Sequence, residues 1–599
     1  MSAPSKRTCQ ACQKEFAVES DDITFYEKMR IPAPTWCPEC RTVRRMSWRN
    51  ERSWYRRTCD ATGKPVLSMF RQESGYKVYE QNYWRSDAWD PLEYGKDVDV
   101  TRPFLTQFGE LLKAVPEPNL IQKNLVNSEY SNIALNLKNC YNCIGIDGGE
   151  DSAYCFSGIL DIQHSFDIYQ ATSTEYSYEL IDCVKSNSVR FAQSCEGCVD
   201  SWFLYDCRNC TNCIACVGLR SRQYCILNRE YQKEEYEKEL VKLDLGSYRK
   251  LQELNAKFEE LKLRVPRKFA TIIKSENVIG DNIRNSRDAR GFDIRDNAEH
   301  VRYSYRVHHN CSDIWDAIVA WNGAEEECEA MSCSGKRIVY SALIWGGFDV
   351  QYSYNCFDCN NIFACVGLRS KSYCILNRQY SKEEYETLLP KIIEHMNMMP
   401  YADKQGRTFG YGEFFPPELS PFAYNETIAQ EYFPLSKEEV ERKGYQWKNP
   451  EIRNYQMQIK NDQLPDHIRD VPDAIASQTV ECGHKGICIH GCTTAFKIIP
   501  EELGFYKKTG IPLPRLCPNC RHCERLLKSN PLRLWHRKCQ CGGMESGIRN
   551  QELGKTPNYR NTATHFHGDK PCPNEFETSY APERAEIVYC ESCYQSEVL

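Results

Sequence analysis

The sequence predicts a mainly β, multidomain protein: two solenoid blocks of the parallel β-helix type with capping helices, and a compact cysteine-rich module at each end. Three observations predict it. One cysteine framework occurs twice, over residues 12–59 and 492–539. A long middle segment recurs at an offset of 149 residues. Within each copy, landmarks return every 22 to 24 residues, a period that belongs to stacked repeats.

The terminal modules follow from ligand spacing. Cys12 and Cys492 each stand 25 residues before a C-P-x-C knuckle, Cys37-Pro38-Glu39-Cys40 and Cys517-Pro518-Asn519-Cys520. Cys40 and Cys520 each stand 19 residues before Cys59 and Cys539. Phe25-Tyr26 and Phe505-Tyr506, Ile31-Pro32 and Ile511-Pro512, and Arg41 and Arg521 match between them. A structural zinc is held by four thiolate or imidazole ligands, commonly from two knuckles, and so demands fixed spacing. The first site is read as Cys9, Cys12, Cys37 and Cys40. In the second, Cys492, Cys517 and Cys520 align, but Ile489 stands where Cys9 should have its counterpart. Cys488 is the obvious substitute, with Cys482, His484 and His490 as alternatives. A third site is drawn from Cys539, Cys541, Cys590 and Cys593, with Cys572, His565 and His567 as rivals. Cys59 has no nearby partner and reads as a buried thiol. Two to three structural Zn2+ ions are expected.

This framework, C-x2-C-x3-F, then F-Y, then P-x-x-C-P-x-C-R, resembles the zinc-ribbon or treble-clef zinc-finger modules of uncharacterised bacterial proteins, over about 35 residues in each of two places. The cysteine-rich middle and the C-terminal stretch through Cys590 and Cys593 look like large uncharacterised proteins from uncultured bacteria with reduced genomes. The resemblance implies zinc and a cytoplasmic location, and it brings no known chemistry. No catalytic residue is assigned. H-E-x-x-H, the deaminase H-x-E with P-C-x-x-C and the phosphate-binding Gly-x4-Gly-Lys-Ser/Thr are all absent.

The 34 cysteines in 599 residues pose disulfides in a secreted protein against thiols in a reducing cell. The start, Met-Ser-Ala-Pro-Ser-Lys-Arg-Thr-Cys, has no apolar signal core, and no run of 18 apolar residues could span a membrane. A reducing cytoplasm is expected. Net charge is only −6, so the whole chain carries no strong electrostatic message.

Along the chain, residues 1–60 form the first metal module and 61–126 an aromatic connector with a helix from Pro103 to Ala114. Residues 127–270 and 271–400 are the two solenoid blocks. Tyr205-Asp-Cys-Arg-Asn-Cys recurs as Tyr354-Asn-Cys-Phe-Asp-Cys, each copy running on to a Lys-Glu-Glu-Tyr helix start at Lys233 and Lys382. Tyr130, Tyr154, Tyr178 and Trp202 mark the short period. Leu240, Leu243, Leu251, Leu254 and Phe258 predict one helix from Tyr236 to Lys262, and such helices are expected to cover the open end of a stack. Residues 401–480 read as an extended Pro/aromatic linker with a helix near Ser436 to Lys443. Residues 481–599 hold the second module and the third site. The middle cysteines, Cys207 to Cys216 among them, read mainly as small packed thiols, with one metal site there as the minor alternative.

A basic, aromatic run follows each knuckle: Arg41, Arg44, Arg45, Trp48 and Arg49, then Arg521, Arg525 and Arg533. Arginine neutralises phosphates and aromatic rings stack on bases, so the leading expectation is a non-enzymatic zinc protein that binds RNA or a ribonucleoprotein, with the solenoid as scaffold and a face for a protein partner. The bland alternative is that the tryptophans anchor a small core beneath a solvated arginine face. Two further readings are a polysaccharide-binding or polysaccharide-cleaving solenoid, from recurring Asp161, Asp167, Asp182, Asp200 and Asp206, and a structural or assembly protein.

Overall fold

The computed structural model describes residues 4–295, 297–307, 311–320, 323–449, 455–488, 491–542 and 559–598. Ile489 and His490 therefore lie outside the described residues. The protein is mainly β, and its chain divides into two compact units, Met1–Ile121 with Ala270–Asn449, and Gln122–Phe269 with Pro450–Leu599. Each unit joins one terminal module to one repeat block, and the pairing is crossed: the N-terminal module belongs with the second block, the C-terminal module with the first.

In the Gln122–Phe269 unit, strands Gln122–Val126, Asn132–Lys138, Ile144–Glu150 and Phe156–Gln163 pair in parallel, each with the next. The register runs on through Tyr178, Arg190, Trp202 and Ile214, so the step is 12 residues. The period of 22 to 24 read from the sequence was therefore two steps. The aromatic landmarks Tyr178 and Trp202 occupy alternate rungs, and the rungs between carry Arg190 and Ile214. Strand Val184–Gln193 pairs with Thr172–Glu175 along its first half and with Tyr178–Ile181 along its second. Both of those pair back to earlier strands, so the parallel hydrogen bonding closes on itself instead of lying in one plane.

A finer period of three explains the cysteines. Asp206, Asn209, Asn212 and Ala215 have φ of 48°, 51°, 53° and 51°, in the left-handed region. The residue after each, Cys207, Cys210, Cys213 and Cys216, is fully buried. Four corners thus occupy one 12-residue step, each turning the chain and aiming the next side chain inward. Asn, Asp and Gly tolerate that backbone best, which is why they punctuate the segment. Asn and Asp also hydrogen-bond from rung to rung, as in Asn127 Nδ2 to Asn139 Oδ1 (3.1 Å) and Asn139 Nδ2 to Asp151 Oδ1 (2.9 Å). The inward thiols donate to carbonyls two residues back, Cys207 Sγ to Tyr205 O (3.5 Å) and Cys213 Sγ to Thr211 O (3.5 Å).

The other unit repeats this plan from Arg287–Ile294 to Ser372–Ile375, again all parallel. Each block ends in a short antiparallel hairpin, followed by a helix from Lys233–Leu243 or Lys382–Met398. The Tyr236–Lys262 helix is in fact two. Asp244 turns left-handed at φ 47°, and Ser247 then caps a second helix, Tyr248–Arg264. The first stands on the last rung through Tyr236 on Tyr224, ring centroids 5.5 Å apart. The second lies along the side of the stack, burying Leu251, Leu254 and Phe258 with Phe203, Ile214 and Ala215.

Candidate metal centres

In each module a helix begins at the proline of the C-P-x-C knuckle, Pro38–Met46 and Pro518–Lys528. Proline is suited to a first helical turn, where its missing N–H costs nothing. The turn brings both knuckle sulfurs to one point. Cys9, Cys12, Cys37 and Cys40 converge there, as do Cys482, Cys492, Cys517 and Cys520, and, near the C-terminus, Cys539, Cys572, Cys590 and Cys593; each group could hold a metal ion. Thiolates about 2.3 Å from a single zinc stand about 3.8 Å apart. Cys12–Cys37, Cys482–Cys520 and Cys572–Cys590 are each separated by 3.8 Å, and Cys492–Cys517 by 4.0 Å. Disulfide sulfurs stand about 2.05 Å apart, so these are not disulfides.

All three quartets share one brace. The backbone N–H of the third cysteine donates to the first sulfur: Cys37 to Cys9, Cys517 to Cys482 and Cys590 to Cys539, each at 3.2 Å. Amide donation to sulfur stabilises the thiolate, the form that binds metal. The quartets group two ligands differently from the sequence reading. Cys482, not Cys488, is the counterpart of Cys9. Cys488 instead joins a rival group with His484 and Cys520, its sulfur 3.6 Å from that of Cys520. In the third quartet Cys572 stands where Cys541 was expected, and Cys541 belongs to a neighbouring group with His565, His567 and Cys593. Equal spacing in the first two modules drew the eye to near neighbours. The glycine-bearing insertion between Cys482 and Cys492 (Gly483, Gly486, Gly491) was the signal that the first ligand lies farther back. No metal-ligating group among the described residues includes a cysteine of the repeat blocks.

Cys59 is a fourth, emptied version of the same brace. It accepts from the backbone N–H of Glu80 at 3.2 Å, as Cys539 does from Cys590. Strands Tyr55–Thr58 and Pro65–Ser68 pair like Trp535–Lys538 and Glu575–Thr578. Where the C-terminal quartet has Cys590 and Cys593, this copy has Glu80 and Tyr83.

The post-knuckle arginines do not face solvent. Arg41, Arg44, Arg45, Trp48, Arg49, Arg521 and Arg525 are all buried, and of the residues expected to meet nucleic acid only Arg533 is exposed. A buried guanidinium needs carboxylates, and the repeat blocks supply them. Arg41 meets Asp316 at 2.8 Å, Arg44 meets Glu329 and Glu413 at 2.8 and 2.9 Å, and Arg45 reaches Glu329 at 3.3 Å. In the other unit Arg521 meets Asp167 and Glu502 at 2.7 and 2.9 Å, and Arg525 meets Asp167 and Glu179 at 2.8 Å each. Asp167 and Asp316 are equivalent under the 149-residue repeat, as Arg41 and Arg521 are under the module repeat, so one interface occurs twice. Its apolar part is repeated as well: Phe25 stacks on Trp315 at 3.8 Å, and Phe505 packs on Phe166 at 4.6 Å. Burial raises the Asp316 carboxyl against the pull of Arg41 and Arg45. Burial also raises Glu329, but Arg44 and Arg45 outweigh it and hold that carboxyl below its usual range. Trp48 packs on Phe415, with centroids 4.7 Å apart, and Arg49 is bound to Glu51 at 2.5 Å and to Ser332. The sequence showed the positive charges but not their acids, most of which lie hundreds of residues away.

Among the described residues, no helix is long and apolar enough to cross a membrane. No protein-family model matches the chain, and comparison with curated proteins and with solved structures returns no match to either.

Proposed function

We propose that this chain is a non-enzymatic, zinc-dependent scaffold, in which each repeat block is a β-helical solenoid of about 12 residues per turn clasped by a metal-stapled terminal module. The observation that carries this reading is the duplicated Arg–Asp interface behind each knuckle. The same helix that begins at the metal ligands carries the arginines into the solenoid flank, so the metal organises the docking surface. Four protein ligands complete a zinc tetrahedron and leave no position for a reacting water, which is the pattern of structural rather than catalytic sites. Thiolate-rich donor sets select zinc over hard cations.

Recognition of RNA or a ribonucleoprotein gains no support from the seven buried residues of the basic runs, since a side chain closed in an ion pair presents nothing to a phosphate. The experiment is metal and RNA analysis on one preparation of the full chain, purified under reducing conditions. The scaffold reading expects bound zinc together with RNA affinity that is weak and insensitive to Arg533→Glu. Tight, salt-dependent RNA binding abolished by that substitution would favour the nucleic-acid reading, and a zinc-free folded protein would remove both.

A further inference from the structure

Two ligand groups meet at Cys593. Its sulfur belongs both to the quartet with Cys539, Cys572 and Cys590 and to the group with Cys541, His565 and His567. We propose that the C-terminal module holds two metal ions bridged by the Cys593 thiolate, a dinuclear centre rather than a single site with spare ligands. The inference rests on the zinc reading above and extends it.

The second group is built as a metal site in its own right. His565 Nε2 lies 2.7 Å from Glu597 Oε1, and both side chains are almost wholly buried. Glu597 also accepts from the backbone N–H groups of Thr562 (2.9 Å) and Ala563 (3.2 Å) and from the Tyr559 hydroxyl (2.5 Å). A carboxylate receiving so many donors acts as an acceptor, so His565 carries its proton on Nε2. Its Nδ1 lone pair then points at Cys541 Sγ, 3.1 Å away. His567 Nδ1 lies 2.6 Å from the Lys570 carbonyl oxygen, which can only accept, so the proton of this ring is on Nδ1. Its Nε2 lone pair faces Cys593 Sγ at 3.2 Å. Two imidazole lone pairs are thus aimed at two sulfurs, an arrangement that a proton on each sulfur satisfies in the metal-free thiols and that a cation satisfies once both sulfurs are thiolates. Carboxylate and carbonyl partners on the far nitrogens are how metal-binding histidines are oriented. Cys541 Sγ further accepts from Asn561 Nδ2 at 3.2 Å, and Asn561 is held by the Tyr589 hydroxyl at 2.8 Å. Cys541 and the two histidines cannot all serve the first ion, whose other three ligands are Cys539, Cys572 and Cys590. Shared through Cys593, both ions have four ligands.

The test is zinc stoichiometry of the full chain, reduced and reconstituted with zinc alone. Four equivalents are expected: one in each knuckle module and two at the C-terminus. Three equivalents overturn the dinuclear centre while leaving the zinc scaffold intact, and none overturns both. His565→Ala combined with His567→Ala should lower the count by one with unchanged circular dichroism; an unchanged count places the fourth ion elsewhere and overturns the assignment. Replacement of zinc by cobalt(II) reads the bridge directly. Magnetic coupling through a shared thiolate should leave the electron paramagnetic resonance intensity of two isolated ions, and the full intensity of four uncoupled ions would overturn it.

Discussion

At the residue scale, the buried charges define the molecule. Asp167 turns a corner of its repeat block at φ 58° and meets two guanidiniums at once. Asp167→Asn keeps a side chain that tolerates the left-handed backbone but removes one of the two carboxylates that meet each of Arg521 and Arg525, leaving Glu502 and Glu179. Chemical denaturation should show a loss below about 3–5 kcal/mol, the cost of leaving a buried ion wholly unpaired. Glu117 makes a contrasting prediction. It is buried, it receives Asn355 Nδ2 at 2.8 Å, and desolvation pushes its carboxyl up to about 8. A raised folded value means that its contribution is complete below the unfolded value near 4.5 and is lost as pH rises through about 8. Glu117→Gln should therefore leave stability unchanged at acid pH and raise it at neutral pH by roughly 3 kcal/mol. Urea midpoints across that range, with no difference between wild type and variant, would contradict the assignment.

At the element scale, much was legible and the period was not. The parallel stacking, the helix starts at Lys233 and Lys382, and the helix later found at Phe104–Ala114 follow from repeat offsets, capping residues and apolar spacing. The 12-residue step was hidden because inward positions accept Cys, Ser, Ala, Val or Leu alike, so no single residue type recurs on every rung. The C-x-x-C spacing means opposite things in the two contexts. At Cys37 and Cys40 it is a helical knuckle, whereas at Cys207 to Cys216 it is three residues per inward corner. The second copy already carries Ile362 where the first has Cys213, and both are fully buried. Cys213→Ile adds volume at a packed corner, so it should cost about 1–3 kcal/mol while leaving bound metal unchanged. The long-range ligands Cys482 and Cys572 stood in the sequence only as alternatives because the loops beside them differ in length from the first module, and loop length is weakly constrained by fold stability.

At the scale of the whole molecule, the proposed scaffold makes a metal ion and a repeat block depend on one another within each unit. An ion held by each quartet would fix the knuckle helix, and that helix delivers the arginines that meet Asp316 or Asp167. Structural zinc contributes on the order of 10 kcal/mol to small folds of this kind. Chelation under reducing conditions should therefore lower the thermal midpoint by at least about 10 °C and make residues 4–60 and 491–542 the first cleaved by protease. Cleavage that begins within the repeat blocks instead would mean that the modules do not depend on metal.

X-ray absorption at the zinc edge of the reduced, full-length protein reports the ligands themselves. The account predicts a first shell of four ligands, dominated by sulfur at about 2.3 Å with a minor nitrogen share from His565 and His567. A shell of oxygen and nitrogen, or protein that folds with no zinc to measure, would contradict it.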